Sequence, residues 1–314
     1  KAYDMAQIPT YDKKGKAKYD TKTPKSILPK VVEYFQFQPL IIAGFDAYSA
    51  NDPSLAYDLF MAHNNIPEMK MMQDNPEEAA KLIRDTSYYT CVYYAGRFAY
   101  EAERFDEAIA TLERMNSEHA NANALRKEII FANEYIYQIY LETKDTVNAI
   151  ASIQKSIDLF PEEPWFMQNL INLYINSGQE DKAIEYLDIA ISREPNVGQY
   201  YNSKGSILAR MGRFEESFKA FEQAIAIEPN NALFLETLGF AYVDLGNKLN
   251  DDAVYLDAKA YAKAKVDIDK AFQNALPYFE KAYELEPDNY DYKRSLRSLY
   301  YRLGMNDKYE ALAD

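Results

Sequence analysis

Chemistry-bearing residues are scarce in this chain of 314 residues. The single cysteine, Cys91, excludes an internal disulfide. It sits in an apolar helical stretch, where a buried structural thiol is expected rather than a nucleophile. The two histidines, His63 and His119, each lack a second ligand-type residue at metal spacing, so no metal site is expected. There is no Gly-rich phosphate loop and no recognisable Ser or Cys nucleophile motif. Carboxylate runs such as Glu101-Ala102-Glu103 read as solvated helix faces. A chain without cofactor or catalysis is expected. No run approaches the ~20 apolar residues of a membrane span. Glycine, at 10 residues, is well below its usual share of about 7%, which suits long helices with short turns. No period-2 alternation bounded by turn signals stands out, so strands are not expected.

Positive charge is also short. The net charge is −14, and residues 1–30 carry eight Lys against three Asp, leaving −19 for residues 31–314. An acidic body argues against nucleic acid, whose binding needs basic surface to displace counterions, and against docking on anionic membranes. Solubility is the plain explanation of such a charge, and attraction of a basic partner the sharper alternative.

What the chain does have is a period. Pro161, Pro195 and Pro229 are 34 residues apart, and each closes the same pattern: Ala149, Ile153, Ser156; Ala183, Leu187, Ala190; Ser217, Phe221, Ala224. A fourth copy, Ala275, Phe279, Ala282, Pro287, arrives 24 residues late. Small residues seven apart share a helix face and let a neighbouring helix approach, and the proline ends the helix. A second apolar stripe precedes each copy, as in Met167, Leu170, Ile171 and Tyr174, or Leu235, Leu238, Gly239 and Tyr242. Turns are legible at Asn176-Ser177-Gly178-Gln179 and Met211-Gly212-Arg213. A helix–turn–helix unit repeated at this period predicts an all-α solenoid, an architecture that builds extended binding surfaces.

With these residues the chain resembles the tetratricopeptide repeat family. Leu235, Leu238-Gly239, Tyr242, Ala275, Phe279, Ala282 and Pro287 match its pattern at each step apart from the insertion. Ala95-Gly96, Ala99, Ala108, Leu112 and Met115 match loosely, as do Ala43-Gly44, Ala47, Ala56, Phe60 and His63. The resemblance implies a right-handed superhelix of stacked antiparallel helix pairs. It divides the chain into an N-terminal helix remnant and Lys-rich loop (1–36), two divergent units (37–129), three regular units (130–229), a unit with a helical insertion at about 246–274 (230–289) and a capping helix region (290–314).

Two segments fall outside the ladder. Lys1 to Ala6 reads as the end of a helix that begins upstream, followed by a Lys-rich tract (12–20) read as an exposed loop or a contact arm for an acidic surface. In the insertion, Asn250 to Asp252 are good N-caps before strong helix formers, predicting an extra helix or an extension of the next, kinked at Pro277. Asp267-Ile268-Asp269 lacks the glycine of an EF-hand loop and is not read as a calcium site. The tract, the repeats and the 28 tyrosines are together similar to bacterial cell-envelope repeat proteins, which implies a periplasmic or envelope location, with the cytoplasm as the alternative.

In the family, the first helix of each pair lines the concave face, and residues offset from the packing stripe point into it. Carried over, this rule selects Tyr93, Arg97 and Tyr100, then Phe131, Glu134, Gln138 and Glu142, then Trp165, Gln168, Asn169 and Asn172, and finally Asn202 and Arg210. An amide both donates and accepts, so Gln168, Asn169, Asn172 and Asn202 could pair with the backbone of an extended peptide. Tyr88, Tyr89, Tyr93, Tyr94 and Tyr100 cannot all be buried on one helix face; some are exposed or meet another segment. The expectation is a non-catalytic scaffold that binds a protein or peptide, basic or extended, in the groove. The alternatives are a carbohydrate- or small-ligand-binding module of the envelope, and an assembly subunit docking through an upstream segment.

Overall fold

The structure, a computed structural model, describes residues 10–11, 17–18, 22–84, 86–117 and 125–312. The Lys1-to-Ala6 helix end, residues 12–16 of the Lys-rich tract, and His119 lie outside them. The chain divides into two compact units, residues 1–166 and 167–314.

The all-α expectation holds for both units, with one small exception. In the first, Thr10–Tyr11 (β1) and Ala17–Lys18 (β2) pair antiparallel, Thr10 opposite Lys18. The tract read as a loop thus includes a two-residue ladder. The second departure is helix α1, Lys22–Phe37, in the segment assigned to the loop. Leu28, Val31, Val32 and Phe35 supply a helical stripe, and Pro29 is carried inside the helix.

Helices α2 (Pro39–Ser49) and α3 (Pro53–Asn64) form the first pair. A 3₁₀ turn, Ile66–Glu68, and short helices α4 (Lys70–Gln73) and α5 (Pro76–Ile83) lead to the second pair, α6 (Thr86–Glu101) and α7 (Phe105–Leu112). A 3₁₀ turn at Glu113–Asn116 follows. The third pair is α8 (Arg126–Glu142) and α9 (Thr146–Leu159). The unit boundary falls early in α10 (Pro164–Asn176). The second unit continues with α11 (Glu180–Arg193), the pair α12 (Gly198–Arg210) and α13 (Phe214–Ile227), the pair α14 (Ala232–Ala253) and α15 (Ala258–Leu285), then α16 (Tyr290–Arg302) and α17 (Asn306–Ala311).

Every pair except α14–α15 turns the same way. Asn51, Glu103, Lys144, Gly178, Gly212 and Gly304 all have φ between 58° and 76°. The next residue's N–H reaches back to a carbonyl in the helix: Arg104 to Ala99, Asp145 to Tyr140, Arg213 to Leu208. This is the Schellman termination, in which a left-handed residue lets orphan carbonyls be satisfied. Only three of the six sites hold the glycine that this conformation favours. The helices that precede the ladder prolines end alike too. Phe160, Glu194, Glu228 and Glu286 share φ near −130° and ψ of 63° to 76°, away from the helical region as the following proline requires. The ladder residues are buried, Ala149, Ile153, Ala183, Leu187, Phe221, Ala224, Ala275 and Phe279 among them.

The insertion lengthens a pair rather than adding a helix. Gly246 lies 34 residues after Gly212, where the next turn is due, yet α14 runs through it. A Cβ at Gly246 would stand 2.7 Å from Cζ of Phe272, so the glycine serves close helix approach instead of a left-handed turn. α14 reaches 22 residues and α15 reaches 28, against 13 and 14 in the preceding pair. At 1.5 Å per residue the added lengths are about 14 and 21 Å. Asn250 to Asp252 fall in the last turns of α14; the N-cap of α15 is Asp257, which accepts from the N–H groups of Lys259 and Ala260 at 2.9 Å. Pro277 lies inside α15. It leaves the carbonyl of Gln273 without its usual donor. The connection exposes Val254, Tyr255 (96%) and Leu256.

In the first unit His63 occupies a small-residue position and is fully buried, stacked on Phe35 with centroids 4.2 Å apart. Neither ring nitrogen, nor either side-chain polar atom of the adjacent Asn64, has a hydrogen-bond partner among the described residues. Burial lowers the His63 pKa from 6.5 to about 4.

Two predictions follow from these positions. At φ 60°, Lys144→Gly should stabilise the first unit by about 1 kcal/mol, and Gly212→Ala should cost the second unit about as much, both read as shifts in urea midpoint at unchanged m. Because His63 binds its proton near 6.5 when unfolded and near 4 when folded, its contribution is intact above pH 6.5. It is lost as pH falls toward 4, to a limit of roughly 3 kcal/mol. His63→Phe should flatten that acid limb in urea melts at pH 7 and pH 5; an unchanged limb would show that other groups cause it.

Candidate functional site

In the first unit, packing decides which residues are left to face outward. Ala95, Gly96 and Ala99 of α6 turn to their partners, with a Cβ at Gly96 only 2.4 Å from the Leu112 side chain. Tyr93, Arg97 and Tyr100 are therefore rotated to another face. On α8, Phe131, Glu134, Tyr135 and Gln138 share a face through three- and four-residue spacing, and Trp165 enters from the first turn of α10. Tyr93, Phe131, Glu134, Tyr135, Gln138 and Trp165 line a cleft of about 500 Å³.

Its walls are mainly aromatic. Phe131 is 46% exposed. Trp165 meets Tyr137 edge-on, centroids 5.7 Å apart, which orients the indole. Burial pushes the Tyr93 phenol up to about 12, with Tyr135 adding to the shift. Burial also raises Glu134 above the ordinary carboxylate range, and nearby Glu163 raises it further.

Five of the residues selected from sequence line this cleft: Tyr93, Phe131, Glu134, Gln138 and Trp165. The other three in this unit, Arg97, Tyr100 and Glu142, are engaged beside it. Arg97 donates through Nε to Glu101 at 2.8 Å and through Nη2 to the Tyr48 hydroxyl at 3.2 Å. The Tyr100 hydroxyl donates to Oε1 of Glu142 at 2.6 Å, where Gln138 Nε2 also donates at 3.1 Å. Tyr135, next to the selected Glu134, also lines the cleft and was not selected from sequence. Tyr88 and Tyr89 are buried, their hydroxyls accepting from Arg114 and Ser117, so the 113–117 segment is what they meet. Cys91 is buried in the core shared by α2, α3 and α6.

The second unit holds the other five. Gln168 and Asn172 are exposed and Asn169 is half-buried. Asn202 corrects the expectation of an open amide: it is 4% exposed, and its Oδ1 accepts from the Thr237 hydroxyl at 2.6 Å, so it ties α12 to α14. Arg210 is exposed and paired with Glu180 at 3.5 Å. A cleft of about 310 Å³ here, missed from sequence, has an apolar floor including Phe240 and Leu299 and is flanked by Arg294 and Arg302. Among the described residues no His, Cys, Asp and Glu cluster could hold a metal, and no helix is long and apolar enough to cross a membrane.

Two family models match the chain, one described as a tetratricopeptide repeat over residues 140–207 and one as a TPR repeat over residues 205–246. Residues 140–246 of the chain are tetratricopeptide repeats. It is 26% identical over 113 residues to the small glutamine-rich tetratricopeptide repeat-containing protein 2 of Mycosarcoma maydis, covering 36% of this chain and 32% of that protein. It is 30% identical over 106 residues to the UDP-N-acetylglucosamine–peptide N-acetylglucosaminyltransferase of Giardia intestinalis, covering 33% of this chain but 7% of the transferase. A solved MamA structure (AMB-1) aligns with a TM-score of 0.42 at 19% identity, over 65% of this chain and 95% of its own. The chain thus spans about a third of the first curated relative and a small part of the second.

The Tyr100–Glu142 bond gives the cleft's edge a titration signature. It is the first cause, ahead of burial, that raises the Tyr100 phenol from 10 to about 12. A raised phenol favours the neutral form in the fold, so this contribution is present below pH 10 and lost as pH climbs toward 12. Glu142→Gln should bring one tyrosine's ionisation to lower pH in an ultraviolet tyrosinate titration, and Tyr100→Phe should remove that late component.

Proposed function

We propose that this protein is a non-catalytic scaffold that grips an extended peptide segment of a protein partner through the aromatic cleft of its first unit. The observation that carries the reading is the cleft itself, with Tyr93, Phe131, Tyr135 and Trp165 as walls and Gln138 at its edge. Rigid aromatic surface offers large contact area at low entropic cost, which is why such residues dominate binding hot spots. The Gln138 amide adds a group that can both donate to and accept from a peptide backbone. Stacked helix pairs supply a preformed support for such a surface. The half-exposed Phe131 makes the cleft ready to exclude water when a side chain enters.

Trp165 is the sole tryptophan, so its emission reports on this cleft alone. Peptides selected from a random decapeptide library on the immobilised protein should change that emission saturably, and Phe131→Ala should weaken them on the order of tenfold or more. A saturable response to oligosaccharides with none to peptides would overturn the proposal in favour of a sugar-binding module.

A further inference from the structure

The cleft's charge says which peptide side chain it takes. Glu134 lines it, and Glu163 lies close enough to act on Glu134 electrostatically. Neither carboxylate forms an ion pair among the described residues. Arg97 is already engaged with Glu101 at 2.8 Å, and Arg126 with Glu162. Glu134 therefore stands uncompensated at a cavity whose remaining walls are chiefly the rings of Tyr93, Phe131, Tyr135 and Trp165, with a second carboxylate, Glu163, near it.

That combination has one matching chemistry. The face of an aromatic ring carries negative charge density and attracts a cation placed over it, most strongly for Trp, and most of all where water is excluded. A partly buried carboxylate without a partner is costly until a cation neutralises it. An anionic side chain would meet repulsion from both, and a purely apolar one would leave the carboxylates desolvated and unpaired. The balance of −19 over residues 31–314 adds long-range attraction of the same sign. The pocket of the second unit, flanked by Arg294 and Arg302, shows that this preference belongs to the first unit's cleft and is not shared by every hollow on the protein.

We propose that this cleft is a cation-selective subsite that seats the arginine or lysine side chain of a basic, extended peptide, with its charged head between the aromatic walls and Glu134. The inference rests on the peptide-binding reading above and adds the selectivity. A long basic side chain fits because its methylene stem can lie along Phe131 while the head reaches the carboxylate.

The test uses the intact chain and Trp165 emission at low salt. A library-selected decapeptide containing one arginine is compared with the same peptide carrying citrulline, which keeps the shape and loses the charge. The arginine peptide should bind at least ~10-fold more tightly, and high salt should erode that advantage. Glu134→Gln should weaken the arginine peptide by about the same factor and leave the citrulline peptide within twofold, with the thermal midpoint of the variant confirming that it folds. Equal affinity for the two peptides, or an arginine preference untouched by Glu134→Gln, would overturn the cation subsite while leaving peptide binding in place. Absence of saturable binding by both would overturn the peptide reading together with it.

Discussion

In four helix pairs a glycine of the first helix faces a bulky residue of the second: Gly44 against Phe60, Gly96 against Leu112, Gly205 against Phe221 and Gly239 against Phe279. A Cβ at any of the four would come within 3 Å of that partner's side chain, closer than carbon atoms can sit. The absent methyl group lets the two helix axes close up, and the ring or branched chain fills the space released. Full burial of such a residue contributes about 2–3 kcal/mol. The tight Schellman turn and the proline stop after it keep the two positions in register. Where that register is broken, at Gly246, the same contact is remade with Phe272 and the pair grows longer instead of coming apart.

The candidate site is a consequence of that packing. Once Ala95, Gly96 and Ala99 have been committed to α7 and its neighbours, the helical period leaves Tyr93, Arg97 and Tyr100 no place in the core. They meet α8 instead, where Phe131, Tyr135 and Gln138 are displaced from the core by the same geometry. Arg97 and Tyr100 are held by Glu101 and Glu142, so the edge of the cleft is tied down by charge-assisted hydrogen bonds and its interior is left to aromatic surface. Trp165 is held against Tyr137 and Phe166 by edge-on contacts.

The first unit carries an unresolved cost beside this order. The side-chain polar atoms of His63 and Asn64 are buried without hydrogen-bond partners among the described residues, and His63 fills a slot where other repeats place Met115, Ser156, Ala190 or Ala224. A serine there can bond back to its own helix, as Ser156 does to the carbonyl of Ser152 at 2.9 Å. An imidazole is too large to do so and stacks on Phe35 of α1 instead. The divergent repeat thus exchanges a small-residue contact for an aromatic one with a helix that lies before the repeats.

Periodicity made much of this legible. The ladder of small residue, bulky residue and proline located the helices from 146 to 285 and their buried faces, because repetition averages out the ambiguity of any one segment. Asn51, Glu103 and Lys144 hid three turns, since only their neighbours force residues other than glycine into a left-handed conformation. Pro29 and the surrounding lysines hid α1. Fold class and the pairing of the regular repeats follow from helical period and side-chain size, and so were legible without coordinates. It took the packed helices to decide that Asn202 is spent on Thr237, that Gly246 is a packing contact rather than a turn, and that Tyr135 joins Tyr93 and Trp165 beside Glu134. Those outcomes depend on which residue of a different helix arrives opposite, and no local pattern encodes that.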